Sequence, residues 1–178
     1  MKPDKPSTGG QWMRSVMARH ERPLVRYAAR ILGDVDRARD VVQETFLRLW
    51  ESDRTGGEDH LAQWLFTVCR NRATDVCRKE RRVMQLSEDH GQSTPSADPA
   101  PPAVAERKEA GTRVAQALRT LSASEQEVIR LKFQNGFSYK QIAGITGLSV
   151  SNVGFQIHSG IQSLRKQFKA LGLIEAKA

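Results

Sequence analysis

The sequence predicts an all-α protein: two small helical domains joined by a flexible linker, the second ending in a helix-turn-helix. Apolar residues recur at spacings of three and four in several segments, which is the period of amphipathic helices. Residues 87–111 are rich in Pro, Ser and Ala and too poor in large apolar groups to fold. We expect a disordered N-terminus at residues 1–10, modules at residues 11–86 and 112–178, and a linker between them.

Composition favours a polyanionic partner. The 178-residue chain is 39% hydrophobic, has a net charge of +8 and has a pI of about 9.9. The first module carries 15 basic and 11 acidic residues, the linker 2 and 5, and the second module 9 and 3. Two basic modules around an acidic linker point first to nucleic acid and second to a membrane surface.

Several function classes find no support in the sequence. No apolar run of about 18 residues predicts a membrane span, and the N-terminus lacks a signal-peptide core, so we expect a cytoplasmic protein. Cys69 and Cys77 share a predicted helix, Cys69 toward the core and Cys77 away from it, without disulfide or zinc spacing. We find no nucleophile–base pair and no phosphate loop. We expect neither an enzyme nor a cofactor or metal site.

The first module begins with two predicted helices separated at Pro23, because proline interrupts the apolar pattern of residues 11–32. Gly33 ends the second of these helices, and Asp34 can cap the next one. That helix, residues 34–51, has a predicted buried stripe: Ala38, Val41, Val42, Thr45, Phe46 and Leu49.

The other side of this helix carries Asp40, Glu44, Leu47 and Glu51 at steps of four, three and four. One interpretation is a charged, solvated face with one exposed leucine, which is common. The other is a docking strip for a basic partner surface with an apolar pocket. Periodicity alone does not separate the two.

Residues 52–60 are predicted to form a polar loop, and residues 61–83 one long helix. Arg72 falls on its inner side, where we expect a structural ion pair. The predicted inward residues are Leu61, Leu65, Val68, Cys69, Val76 and Val83. The outward row mixes hydrogen-bonding groups with guanidiniums, which suit phosphates and bases, although a solvated basic helix end is the alternative. It comprises Gln63, Thr67, Arg70, Thr74, Arg78 and Arg81, with Asn71 and Arg82 at its flank.

The second module opens with a predicted helix over residues 112–121 that places Val114, Leu118 and Leu121 on one side. Ser122 and Glu125 have the spacing of a capping box. They begin a helix that we expect to end at Gly136.

A helix-turn-helix follows. Ser138 and Gln141 form a second capping box, Gly147 suits a left-handed turn, and Ser149 can cap the last helix. The predicted apolar face of that helix is Val150, Val153, Ile157, Ile161, Leu164 and Phe168. Its opposite face can enter a DNA major groove, although an ordinary helical hairpin is the alternative. That face carries Ser151, Asn152, Phe155, Gln156, Ser159 and Gln162.

Residues 33–50, 64–82 and 121–153, with the following His158, occur in the order typical of one family. On these segments the chain resembles the extracytoplasmic-function (ECF) sigma factors of bacterial RNA polymerase. The resemblance implies that the first module, region 2, binds core polymerase and the −10 promoter element and helps to open the DNA. The second module, region 4, would bind the −35 element.

The resemblance implies three sets of site residues. The expected polymerase-binding residues are Asp40, Gln43, Glu44, Leu47 and Glu51. The expected −10 contacts are Arg70, Asn71, Thr74, Arg78, Arg81 and Arg82. The expected −35 contacts are Lys140, Ser149, Ser151, Asn152, Phe155, Gln156 and His158. The partners are core RNA polymerase and promoter DNA. Nothing marks a surface for an anti-sigma factor, so that partner stays open. The alternative function is a stand-alone helix-turn-helix regulator, for which we find no dimer interface or effector domain.

Two departures from the family pattern affect DNA binding. The loop at residues 51–59 holds no aromatic residue, so we expect no stacking platform for a flipped base there. Basic residues that are common after Val153 and His158 are absent. We therefore expect an altered upstream preference, with Phe155 able to contact a thymine methyl. Two glycines in the last helix should weaken it by about 1 kcal/mol each.

Overall fold

The computed structural model describes residues 9–52, 58–86, 114 and 116–170, and the chain divides into two compact units, Met1–Ala97 and Asp98–Ala178. Within the described ranges the regular structure is helical, so the predicted all-α class is confirmed. The predicted linker and residues 1–8 lie outside the described residues. The first unit contains α1 (Gly9–Leu32), α2 (Val35–Glu51) and α3 (Glu58–Leu86). The second contains a helical turn at 116–119, then α4 (Ala123–Phe133), α5 (Tyr139–Thr146) and α6 (Val150–Ala170).

Helix α1 is continuous, and the predicted separation at Pro23 is wrong. Met13 and Val16 before the proline and Leu24 and Tyr27 after it are all buried. Burying each large apolar side chain contributes about 1.5–3 kcal/mol. Several such side chains outweigh the roughly 3 kcal/mol that a proline inside a helix costs.

Helix α2 follows its prediction closely. The Asp34 carboxylate accepts hydrogen bonds from the backbone N–H groups of Asp36 at 2.8 Å and Arg37 at 3.0 Å. These bonds, with that of Arg37 foremost, lower the pKa of Asp34. All six residues of the predicted stripe are buried. The stripe packs α2 against both α1 and α3, so the opposite side of α2 faces outward.

Helix α3 is longer than predicted at both ends and includes residues 58–60 of the expected loop. The set of buried residues along α3 also differs from the prediction. Leu65 and Cys69 are buried as expected, together with Phe66 and Ala73, whereas Leu61, Val68 and Val76 are only half-buried. The Phe66 ring packs on Tyr27 of α1 at 5.1 Å between centroids, which accounts for the shift. The side chain of Val83 lies outside the described residues.

Both cysteines are free thiols, and their surroundings differ. Cys69 is buried toward the core as predicted, and that burial raises the pKa of its thiol to about 12. Cys77 is half-buried, and its thiol donates to the Ile31 carbonyl oxygen at 3.4 Å. Thiolate chemistry at neutral pH is therefore unfavourable at Cys69.

Both predicted capping boxes of the second unit form, at Ser122–Glu125 and at Ser138–Gln141. Gly147 has the left-handed backbone that the turn requires, with φ of 77°. Helix α4 ends at Phe133, before Gly136, which adopts φ of 75° in the following turn. Val114 is 46% exposed, contrary to prediction, and Ala117 takes the buried position beside Leu118 and Leu121.

The packed side of α6 consists of Val153, Ile157 and Gly160, with Leu164 partly buried. Val150 was predicted on this side but is 48% exposed, so the prediction is wrong at this position. Gly160 is more than a weak helix former. A Cβ atom there would lie 2.5 Å from Ile129 Cδ1, so the glycine lets α4 and α6 approach closely.

Candidate polymerase- and DNA-binding surfaces

An exposed strip on α2 combines carboxylates with large apolar side chains. Asp40, Gln43 and Glu51 are exposed, and Leu47 is 61% exposed. Trp50, 55% exposed, extends the strip. Our sequence analysis missed Trp50, although it follows Gln43 by seven residues and so shares its side of the helix. Two large apolar groups beside acids suit a partner surface that is basic and apolar.

Glu44 sits at the edge of this strip and already has an intramolecular partner. Its carboxylate accepts hydrogen bonds from Arg72 of α3, through Nε and through Nη2, the latter at 3.0 Å. The Arg72 hydrogen bond lowers the pKa of Glu44. The prediction of a structural ion pair for Arg72 is confirmed. The pair holds α2 on α3, so Glu44 supports the strip as well as bordering it.

The outward row of α3 is basic near its C-terminal end. Arg78, Arg81, Arg82 and Asn71 are exposed. Arg70 and Thr74 are half-buried, and the Thr74 hydroxyl donates to the Arg70 carbonyl oxygen at 2.8 Å. The hydroxyl oxygen still has lone pairs for a further donor. The row therefore offers guanidiniums for phosphates and an amide for a base.

The turn between α5 and α6 uses one of the predicted −35 residues structurally. The Ser149 hydroxyl accepts from the backbone N–H of Asn152 at 3.2 Å and so caps α6. Lys140 is exposed at the start of α5. Next to it, the ring of Tyr139 lies under the ammonium group of Lys132, which is 5.4 Å from the ring centroid.

The exposed face of α6 is neutral and partly aromatic. Ser151, Asn152 and His158 are exposed, and Phe155 is 71% exposed, which confirms that it is not a core residue. The His158 ring pairs with the Gln162 amide at 3.0 Å. With its first turns free of Lys and Arg, this face suits base edges better than phosphates.

Gln156, a predicted base contact, is half-buried and bonded within the protein. Its Oε1 accepts from the Ser124 hydroxyl at 2.5 Å, and its Nε2 donates to Asn152 Oδ1 at 3.2 Å. One turn later, the Ser159 hydroxyl donates to Glu125 Oε1 at 2.8 Å. The hydrogen bonds between α4 and α6 could not be predicted from the sequence, because the bonded residues are far apart in the chain.

The described ranges contain neither a candidate metal site nor a candidate membrane-spanning helix. No three His, Cys, Asp or Glu side chains lie together as metal ligands there. Nor does any helix in those ranges combine the length and apolarity needed to cross a membrane.

Comparison with known proteins identifies both units. Residues 16–83 match Sigma-70 region 2, and residues 112–164 match Sigma-70 region 4. The chain is 35% identical over 165 residues to the ECF RNA polymerase sigma factor SigL of Mycobacterium tuberculosis, covering 90% of this chain and 91% of SigL. The chain belongs to the ECF sigma factor family.

Other relatives agree with this assignment. The ECF RNA polymerase sigma factor EcfG of Rhodopseudomonas palustris is 33% identical over 149 residues, covering 83% of this chain and 78% of EcfG. A solved structure of the sigma factor RpoE in complex with the anti-sigma factor NepR, from Bartonella quintana, matches with a TM-score of 0.68 and 26% identity. That match covers 88% of this chain and 96% of RpoE.

As an RNA polymerase sigma factor, the chain binds core polymerase and promoter DNA and acts in transcription initiation. It carries both region 2 and region 4, in the order predicted from the sequence. The alternative of a stand-alone helix-turn-helix regulator is not favoured, because such a regulator would have no use for region 2.

Proposed function

We propose that this sigma factor binds core polymerase through the α2 strip, namely Asp40, Gln43, Leu47, Trp50 and Glu51. The observation that carries the proposal is the pair of large apolar side chains, Leu47 and Trp50, each more than half exposed. An apolar centre with a polar rim is typical of protein–protein interfaces, and Trp is enriched among the residues that dominate binding. Glu44 contributes mainly by holding α2 against α3. We also propose that the protein is cytoplasmic, because core RNA polymerase, its partner, transcribes DNA in that compartment.

We propose that α3 binds the −10 element through its outward row. Arg78, Arg81 and Arg82 would contact phosphates, because guanidinium forks match phosphate oxygens. Asn71, exposed on the same helix, would contact a base. Arg70 and Thr74 line the row from half-buried positions.

We propose that α6 reads the −35 element in the major groove. Asn152 and Phe155 lie in its first two turns, where recognition helices contact base edges. Phe155 suits a thymine methyl group. Lys140 supplies a phosphate contact from α5, while Ser151 and His158 lie beside the readers. Ser149 supports this face through its cap and Gln156 through its bond to Asn152.

The polymerase-binding proposal is tested by measuring core polymerase affinity of the double variant Asp40→Ala/Leu47→Ala. We expect affinity to fall by at least about 30-fold, the loss of roughly 2 kcal/mol that truncated hot spots cause. Arg39→Ala is the control, because Arg39 is exposed on the same helix, is not one of the five strip residues and pairs with Asp36. Unchanged thermal unfolding of both variants, with unchanged affinity of the double variant, would refute the strip.

We also propose that an anti-sigma factor holds this protein inactive. The support is the similarity to RpoE, whose solved structure is a complex with the anti-sigma factor NepR. Affinity purification of the tagged chain from its host tests the proposal. We expect a stoichiometric non-polymerase protein that releases the chain when core polymerase is added. Recovery of polymerase subunits alone, under every growth condition tried, would contradict it.

A further inference from the structure

We propose that Ser124 and Gln156 form a directional hydrogen-bond relay that sets which end of the Asn152 amide faces the −35 element. This inference rests on the proposed reading role of α6 and adds a base preference to it. In it, Ser124 and Gln156 are positioning residues, and Asn152 touches the DNA.

The relay is continuous from α4 to the exposed face of α6. The Ser124 hydroxyl donates to Gln156 Oε1 at 2.5 Å, and Gln156 Nε2 donates to Asn152 Oδ1 at 3.2 Å. Each amide has an acceptor end and a donor end, so a Gln156 that accepts from Ser124 through Oε1 turns its Nε2 donor toward Asn152 Oδ1. The Asn152 Nδ2 group is then left as the free donor at the end of the chain.

The surrounding packing keeps this geometry fixed. The Asn152 backbone is held by the Ser149 cap at 3.2 Å. Gly160 lets α6 approach Ile129 of α4 closely. A second bond ties the same two helices one turn further on, from the Ser159 hydroxyl to Glu125 Oε1 at 2.8 Å. The relay therefore connects two rigid elements.

The orientation of Asn152 has a chemical consequence for the base it meets. A free Nδ2 donor requires an acceptor on the base edge. Guanine offers N7 and O6 in the major groove, adenine offers N7 and thymine offers O4, whereas cytosine offers only its N4 amino donor. Asn152 should therefore reject cytosine relative to the other three bases at one position of the upstream element.

The test is selection from a promoter pool with a randomised −35 region, using the full chain bound to core polymerase. For the wild type we expect one position at which bases with a major-groove acceptor, namely guanine, adenine or thymine, exceed cytosine by roughly 5- to 100-fold, the range for one specific base contact. Each variant is then read at that position only, because a relative preference is insensitive to overall losses of affinity.

Gln156→Glu is the decisive variant. A carboxylate accepts from both neighbours and has no donor, so Asn152 must turn its Nδ2 toward residue 156 and its Oδ1 toward the DNA. We expect the preference at this position to invert in favour of cytosine. Gln156→Met has no hydrogen bond to offer and should lose the preference without inverting it.

Ser124→Ala tests the far end of the relay, on a different helix from the readers. We expect the discrimination against cytosine to fall several-fold, with preferences elsewhere unchanged, and Ser124→Thr to restore it by returning the hydroxyl. A merely structural role for Ser124 would lower stability without this selective change and rescue.

Unchanged preference in Gln156→Glu and Ser124→Ala would overturn the relay, and so would a wild type that favours cytosine or shows no preference throughout the selected element. If the wild type enriches no upstream element at all, the proposed −35 reading fails with it. A selected element that is insensitive to these variants refutes the relay alone. Thermal unfolding of each variant checks that the second unit remains folded.

Discussion

The two helices proposed to bind DNA are supported by different physical interactions. Helix α3 presents a basic row and is held to α2 by ion pairs, Arg72 with Glu44 and Arg37 with Glu80 at 2.6 Å. Helix α6 presents a neutral, partly aromatic face. It is held to α4 by hydroxyl and amide hydrogen bonds, from Ser124 to Gln156 and from Ser159 to Glu125.

The difference assigns the two helices complementary tasks. In the proposed roles, guanidiniums on α3 supply phosphate affinity, which weakens as salt rises. Neutral groups on α6 supply base contacts in the same proposal, and such contacts carry sequence information. Polymerase binding joins the two units on one promoter, so α6 need not bind tightly by itself.

The largest expected effect is on stability, and it distinguishes a tightly packed glycine of α6 from a glycine with room for a side chain. Gly160→Leu should destabilise the second unit by roughly 1–3 kcal/mol, because the leucine side chain would enter space already filled by Ile129, Glu125 and Leu121. Gly154→Ala is the matched control, since a Cβ there meets Tyr139 at an ordinary 3.6 Å. We expect it to stabilise the unit by about 0.5–1 kcal/mol. Chemical denaturation measures both, and equal effects would show that Gly160 is not a contact position.

The next effect concerns salt. Arg78→Ala/Arg81→Ala should weaken promoter binding by the polymerase complex about 30-fold and reduce the slope of log Kd against log salt by about two. Phe155→Ala should weaken binding without changing the slope, because it removes no charge. Titrations at several salt concentrations, with Arg39→Ala as control, measure this. If Phe155→Ala changed the slope of log Kd against log salt, or if the double variant left it unchanged, the proposed difference between a phosphate-binding α3 and a base-reading α6 would be contradicted.

The smallest effect concerns acid stability of the first unit. The pKa of Glu44 lies below its ordinary value of 4.5. Its stabilisation is therefore fully present above about pH 4.5 and is lost as pH falls through the lower, folded pKa. Glu44→Gln should cost about 1 kcal/mol at pH 7, a modest value because the pair is partly solvated. Thermal unfolding from pH 7 to about pH 2 should show the two proteins converging. A constant difference would contradict the ion pair.

Local features of the fold could be predicted well from the sequence. The caps at Asp34, Ser122 and Ser138 and the turn at Gly147 depend on neighbouring residues only, and all formed. The α2 stripe was also predictable, because three helical turns of apolar spacing define one face. Pro23 misled the prediction, since its local cost was outweighed by burial contributed by distant helices.

The candidate sites were less predictable, because their geometry depends on contacts between helices. Periodicity places Gln156 on the outward face of α6, yet it does not reveal that Ser124 reaches it across 32 residues. Nor does it reveal that Gly160, predicted only to weaken the helix, lies against Ile129 of another helix. Trp50, by contrast, was within reach of sequence analysis through its seven-residue spacing from Gln43.

The central claim is that this protein confers promoter selection on core polymerase through both units. Run-off transcription with purified core polymerase and a pool of genomic fragments tests it most directly. We expect new start sites on adding the wild type and none with Asp40→Ala/Leu47→Ala. Absence of new start sites, together with tight DNA binding by the chain alone, would contradict the account.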